Sequence, residues 1–138
     1  MISFYICARF GRQEEAREIA EILMAEGHTI TSTWIYQEEA EMYEQSPDRD
    51  RVLNEAAHTD LYEVLEADAI LYLSEEPTNE WGRGGRHVEF GIAIGTQKQL
   101  FVLGDKENLF HYLDGILFVA TVTDLIEYLR EETGGSLI

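Results

Sequence analysis

The sequence predicts an α/β domain whose parallel sheet is covered by helices on both faces, and three observations predict it. Short apolar runs suited to buried strands recur five times. They alternate with segments whose apolar residues fall at helical spacing, and glycine or polar turns separate the two kinds.

Ile2 to Ala8 is an apolar run with aromatic content, suited to a buried parallel strand, and Gly11 breaks it. Ala16, Ile19, Ala20, Leu23 and Met24 then repeat at helical spacing, with Glu14, Glu15, Arg17, Glu18 and Glu21 on the opposite face. Gly27 ends that helix where a left-handed residue is wanted. Thr29 to Trp34 is β-branched and reads as the second strand, which completes a strand–helix–strand crossover. Tyr36 to Asp50 is rich in glutamate and holds a Ser-Pro pair. It is read either as a short acidic helix around Glu38 to Gln45 or as a loop. Helical spacing returns from Arg51 through Leu53, Ala57, Leu61, Val64 and Leu65.

Ala69 to Leu73 is the third strand, with Asp68 at its start, and a polar loop containing Pro77 follows. The next helix spans Gly85 to Thr96, and the fourth strand Gln99 to Leu103. A polar connection from Asp105 to Asp114 has room for a single helical turn. Ile116 to Ala120 is the fifth strand, and Leu125, Ile126 and Leu129 face the core from a last helix closed by Gly134 and Gly135. No internal repeat or linker divides residues 1–138, so one domain is expected.

With 45 % hydrophobic residues, the chain predicts a packed globule rather than disorder. No apolar stretch approaches the roughly 20 residues that span a bilayer, and the strand-like N-terminus lacks a basic-then-apolar leader. Cys7 is the only cysteine, which excludes an intramolecular disulfide and any metal site built on several thiolates. A cytoplasmic protein without metal or other cofactor is expected. A net charge of −17 excludes nucleic acid as a partner, since phosphates need a basic surface. Yet Arg9, Arg12, Arg83 and Arg86 fall in two short loops. Either each pairs with a nearby carboxylate, or together they form one positive pocket in an acidic protein. Trp34, Tyr36, Met42 and Tyr43 likewise read as a wall for a planar ligand or as packing against the domain or a partner subunit.

In parallel sheets the ligand crevice lies beyond the strand C-termini, where strand order reverses. The loops after the first and third strands meet there, and they carry the four arginines. The third-strand loop leads into Gly82 to Gly95, GRGGRHVEFGIAIG, a glycine-rich turn opening a helix with one carboxylate, Glu89. Val88, Ile92 and Gly95 are expected to meet the sheet. Gly91 and Gly95 each cost the helix about 1 kcal/mol relative to alanine, which fits a close backbone approach. A position near the first turn should favour ionised Glu89 through the helix dipole.

Taken in order, Y-I-C-A-R-F-G-R, E-A-D-A-I-L-Y-L and G-R-H-V-E-F-G resemble the nucleoside 2-deoxyribosyltransferase superfamily, including its nucleoside-monophosphate N-hydrolases. The resemblance covers most of the chain. It implies a flavodoxin-like doubly wound sheet of five strands and cleavage or exchange of an N-glycosidic bond. It places Glu89 as the nucleophile on the anomeric carbon, Tyr5 as the hydroxyl orienting it, and Asp68 as an acid that binds or protonates the substrate. Ala8, Arg9, Gly11 and Arg12 match the family's phosphate loop, with alanine where a serine is common. Arg83, Gly85, Arg86 and His87 extend the substrate contacts, and His87 stands where the family often has a glycine. Asn108 matches a position that reaches a neighbouring subunit's site, and His111 lies in the same loop. A homodimer or higher homo-oligomer acting on a small nucleoside or nucleotide, away from membranes, is therefore expected. Such chemistry passes through an oxocarbenium-like state that a carboxylate captures while the departing base takes a proton. Two other readings fit the same fold: a glycohydrolase of NAD-like dinucleotides, and a non-enzymatic nucleotide-binding module.

Overall fold

A computed structural model of the protein describes residues 1–37, 47–76 and 84–135. Five parallel strands form one sheet in the order β2–β1–β3–β4–β5, with β1 at Ser3–Cys7, β2 at Thr29–Ile30, β3 at Ala69–Leu73, β4 at Gln99–Leu103 and β5 at Ile116–Val119. The helices are α1 (Gln13–Ala25), α2 (Arg49–Glu66), α3 (Gly85–Gly95) and α4 (Val122–Gly135). This is the helix-covered parallel sheet that the alternating pattern predicts, in the flavodoxin-like order that the resemblance implies, and the order reverses between β1 and β3. The acidic stretch at Glu38–Gln45 lies outside the described residues.

β1 and β3 are the apolar centre of the sheet; all of β3 and all of β1 after Ser3 are buried. Their side chains alternate between two helix layers. On one face Phe4 packs on Phe101, which meets Tyr128 of α4, and Arg130 of α4 pairs with Glu26 just past α1. On the other face Tyr5 and Tyr72 point at α3, which packs beside α2.

The second strand is shorter than its sequence predicts. Pairing runs only through Ser3 with Thr29 and Phe4 with Ile30, and Thr33–Tyr36 winds into a 3-10 turn. Side chains take over where the strand stops. Ser32 Oγ accepts the Ile6 N–H at 3.0 Å, and Trp34 Nε1 donates to the Ile6 carbonyl at 2.7 Å. Both polar groups of a buried strand residue are thereby satisfied without a backbone partner. Trp34 is thus committed to the fold, stacked near Phe10, while Tyr36 stays exposed.

Helix ends follow the expected chemistry. Gly27 sits at φ 92° after α1, with His28 N–H bonded to the Leu23 carbonyl and Gly27 N–H to Met24, a Schellman stop. After α3 the same pattern recurs, Lys98 to Ala93 and Gln97 to Ile94, but Gln97 itself takes φ 60°. Gly104, at φ 119°, is required for another reason: a Cβ there would lie 2.9 Å from Ser74 Cβ. Among the described residues no helix is long and apolar enough to cross a membrane.

Gln97 is exposed and left-handed, a conformation that L-residues other than glycine adopt at a cost. Gln97→Gly should therefore raise the unfolding free energy by roughly 0.5–1 kcal/mol despite glycine's larger backbone entropy. Urea denaturation at pH 7 measures this, and a loss of stability would contradict the described helix end.

Candidate active site

α3 begins at Gly85, with Gly84 at φ 86° as its cap. Glu89 is therefore in the second turn, past the free N–H groups of the helix start, and the dipole has little hold on it. The buried face of α3 is also not the expected one. Arg86, Phe90 and Ala93 are buried, whereas Val88 is 63 % exposed. At 100° per residue, positions 86, 89, 90 and 93 form one stripe; Ile92 borders it, partly buried against the core as expected, while Val88 and Gly95 fall opposite. Phe90 and Ala93 take the core side, and Glu89 goes with them.

That stripe turns Glu89 into the sheet. The Tyr5 hydroxyl, at the middle of β1 with no exposed surface, donates to Glu89 Oε2 at 2.5 Å. Burial raises the Glu89 carboxyl to about 8; the Tyr5 hydrogen bond opposes this, and the charges of Asp60 and Glu63 add to it. The expectation of an ionised Glu89 at a helix start is corrected accordingly: desolvation outweighs the dipole. Burial and Glu89 push the Tyr5 hydroxyl far above the ordinary tyrosine range, so it acts as a fixed donor.

Asp60, on α2, is the second carboxyl of this cleft, raised to about 6 by burial and by Glu63. Sequence reading missed it. It lies four residues before Val64, the one buried residue of α2, so helical spacing places it on the inward face. Glu63 is held at the rim, its carboxylate accepting from Thr33 N–H at 2.9 Å and Thr33 Oγ1 at 2.8 Å. A cavity of about 440 Å³ opens beside Asp60, lined also by Thr33, Tyr36, Gln37, Val52 and Thr59.

Asp68 is not brought to this cleft. It precedes β3 and so sits at the N-terminal edge of the sheet, where Oδ2 accepts the Ser3 N–H at 3.0 Å and Ser3 Oγ accepts the Asp68 N–H at 2.9 Å. These bonds to Ser3 lower its pKa below the ordinary range. Its geometry is that of a clasp between β1 and β3.

Of the four arginines, Arg83 lies outside the described residues, and the other three are each closed by a carboxylate. Arg9, just past Ala8, donates from Nε to Glu75 Oε1 at 2.6 Å, and Arg12 donates from Nη1 to Glu75 Oε2 and to the Ser74 carbonyl, both at 2.8 Å. Arg12 also pairs with Glu15. Gly11 lets Arg9 fold back over the loop; a Cβ there would lie 2.2 Å from Arg9 Nη1. Arg86 is buried, donating from Nη2 to Glu107 Oε2 at 2.6 Å and from Nε to the Tyr72 hydroxyl at 3.2 Å. The paired reading of these arginines, rather than a single positive pocket, describes the residues seen.

His87 joins the same group. Asn108 Oδ1 accepts the Phe110 N–H at 2.9 Å, which leaves Nδ2 to donate to His87 Nδ1 at 3.1 Å. His87 Nε2 then faces Glu107 Oε2 at 3.3 Å. This arrangement suits the neutral ring, and burial with the Arg86 charge keeps its pKa low against Glu107. Asn108 therefore bonds within its own chain. His111, fully buried, accepts the N–H groups of Glu107 and Asn108 at Nδ1, at 2.9 and 3.4 Å, which fixes the turn carrying both residues. Among the described residues no group of three or more His, Cys, Asp or Glu side chains is placed to hold a metal. Gly85 opens α3 with open space beside its Cα.

No family model matches the sequence, and no curated protein matches it. Solved structures do. The structure of Clostridium botulinum CMP N-glycosidase, BcmB, aligns with a TM-score of 0.54 at 15 % identity over 93 % of this chain and 98 % of that one. A 2-deoxyribosyltransferase from the psychrotolerant bacterium Bacillus psychrosaccharolyticus aligns with a TM-score of 0.60 at 17 % identity, covering 91 % of each chain. A conserved protein from Enterococcus faecalis V583 gives 0.64 at 15 % identity over 96 % and 99 %. The resemblance read from the sequence thus holds at the level of the fold.

The raised carboxyls have a consequence for stability. In the unfolded chain Glu89 and Asp60 ionise near their ordinary values of 4.5 and 3.8; in the native cleft they wait until about 8 and about 6. Between those limits the native state holds more protons, so stability falls as pH rises and levels off above about 8. Glu89→Gln should flatten the decline between pH 5 and 8 in urea midpoints. An unchanged slope would mean that Glu89 is not held protonated.

Proposed function

We propose that this protein cleaves or exchanges the N-glycosidic bond of a nucleoside or nucleoside monophosphate, with Glu89 as the nucleophile. One observation carries the reading: a desolvated carboxyl held by a buried tyrosine hydroxyl at 2.5 Å, beside a second carboxyl of different acidity. The fold neighbours named as a CMP N-glycosidase and a 2-deoxyribosyltransferase support it.

The proton inventory suits this chemistry. Near neutral pH the pair of Asp60 and Glu89 holds one proton between them, because their acidities straddle 7. In the resting pair that proton sits on Glu89, the weaker acid; the reactive form is the minor one in which it has passed to Asp60 and Glu89 is the carboxylate. As the C1′–N bond breaks, its electron pair passes to the base, Asp60 supplies the proton, and a Glu89 oxygen forms the C1′–O bond. Water or an incoming base then attacks C1′, its proton returns to Asp60, and Glu89 leaves as carboxylate. Tyr5 donates to Glu89 throughout.

A homodimer fits the exposed apolar surface. Leu61 and Leu65 of α2, Val88 of α3, and Leu109, Phe110 and Tyr112 of the turn after β4 are all solvent-facing.

Three outcomes test the reading. Glu89→Gln, folded by circular dichroism, should lose base release from a mixed nucleoside and nucleotide pool by about 1000-fold or more; release at the parent rate would sink the mechanism. For the parent, kcat/KM should peak between about 6 and about 8 and fall on either side, as the pair gains or loses its single proton. Light scattering after size exclusion should give the mass of two chains, and a monomer would refute the dimer.

A further inference from the structure

We infer that the site takes a nucleoside without a 5′-phosphate, and that Glu75 and Glu107 enforce this by filling the anion positions of the crevice. The inference rests on the glycosidic reading above and narrows it. Glu75 spans Arg9 and Arg12, and its side chain is only 7 % exposed. Glu107, 10 % exposed, takes Arg86, the Tyr72 hydroxyl at 2.9 Å and the Glu75 N–H at 2.8 Å. Burial would raise the Glu107 carboxyl, but the Glu75 N–H, Tyr72 and Arg86 more than offset it, so its pKa lies below the ordinary range.

A phosphate entering here meets Arg9, Arg12 and Arg86, whose charge is already matched by Glu15, Glu75 and Glu107. It would have to displace a buried carboxylate from the arginines it pairs with, at the cost of those charge-assisted hydrogen bonds. Among the described residues, the other groups around Glu89 are the Tyr5 hydroxyl and the carboxyls of Asp60 and Glu63. Arg49 has an unpartnered buried Nε, but it lies about three turns along α2 from Asp60, roughly 16 Å, beyond the reach of a phosphate carried on the sugar. Lys106 lies over the Tyr112 and Phe118 rings, at the β5 side of the sheet. An uncharged sugar avoids all of these conflicts.

The test is calorimetric binding, at 50 mM salt and pH 7, of the common ribo- and 2′-deoxyribonucleosides and their 5′-monophosphates to the full chain. At least one nucleoside should bind, and its monophosphate should bind at least tenfold more weakly. In 500 mM salt that gap should narrow, because carboxylate repulsion is screened. Glu75→Gln should release Arg9 and Arg12 and shrink the gap at least threefold, and Glu107→Gln, releasing Arg86, should do the same. A monophosphate that binds as tightly as its nucleoside overturns the inference, as does binding of neither compound. Nucleoside preference without base release leaves the inference standing and removes the glycosidic mechanism instead.

Discussion

A carboxyl group that the fold takes out of water is the constraint on which the rest of the structure turns. Glu89 is desolvated, and desolvation alone favours its neutral form. The Tyr5 hydroxyl opposes that, because it is itself too buried to ionise and can only donate. The fold must therefore hold Tyr5 rigidly, and β1 is the strand best placed to do so. It is flanked on both sides, by β2 and by β3, and its register with β3 runs from Phe4 to Cys7. Where β2 stops, Ser32 and Trp34 keep β1 satisfied. The short second strand and the buried Glu89 carboxyl are thus parts of one arrangement: the chain leaves the ladder early, yet Tyr5 stays fixed.

A second polar centre sits at the other end of α3's buried stripe. Arg86 is one turn before Glu89 on the same face, and it is buried only because Glu107 and Tyr72 receive its donors. Burial lowers the Arg86 pKa and these partners more than restore it, so the guanidinium stays charged. Glu107 in turn depends on His111, whose Nδ1 holds the backbone of the 107–108 turn. The turn after β4, the exit of β3 at Glu75 and the start of α3 are therefore tied through one carboxylate. His87 closes the set as a neutral connector between Asn108 and Glu107. A side chain that looks like a substrate contact in the sequence is occupied in holding two loops together.

Much of this was legible in the sequence, and the failures have physical causes. Strand and helix order followed from periodicity, and the partnership of Tyr5 with Glu89 from the resemblance. The choice of Asp68 failed because a residue preceding a parallel strand lies at the edge opposite the crevice, whatever its chemistry. Asp60 was hidden because α2 is mostly exposed and acidic, so one inward carboxylate looks like its neighbours until Val64 fixes the face. The face of α3 was misread in part because Val88 is as apolar as Phe90 and Ala93; Ile92 does pack against the core, but Val88 is exposed and the stripe of Arg86, Phe90 and Ala93 is the buried one. The arginines were visible, but the acids that close them, Glu75 and Glu107, are distant in sequence and indistinguishable among 27 acidic residues.

The two polar centres differ in a way that bears on function. Around Arg86 every charge is matched by an opposite charge at hydrogen-bond distance, so the group is inert and serves to fix geometry. Around Glu89, among the described residues, the charged neighbours are acids, Asp60 and Glu63, and the hydrogen-bond partner is a neutral hydroxyl. Its negative charge is therefore poorly stabilised until positive charge arrives. In the proposed reaction, an anomeric carbon losing its base would supply such charge at the moment of bond cleavage. Under the glycosidic proposal the carboxylate would gain most in the transition state and little in the ground state, which would lower a barrier rather than merely tighten binding.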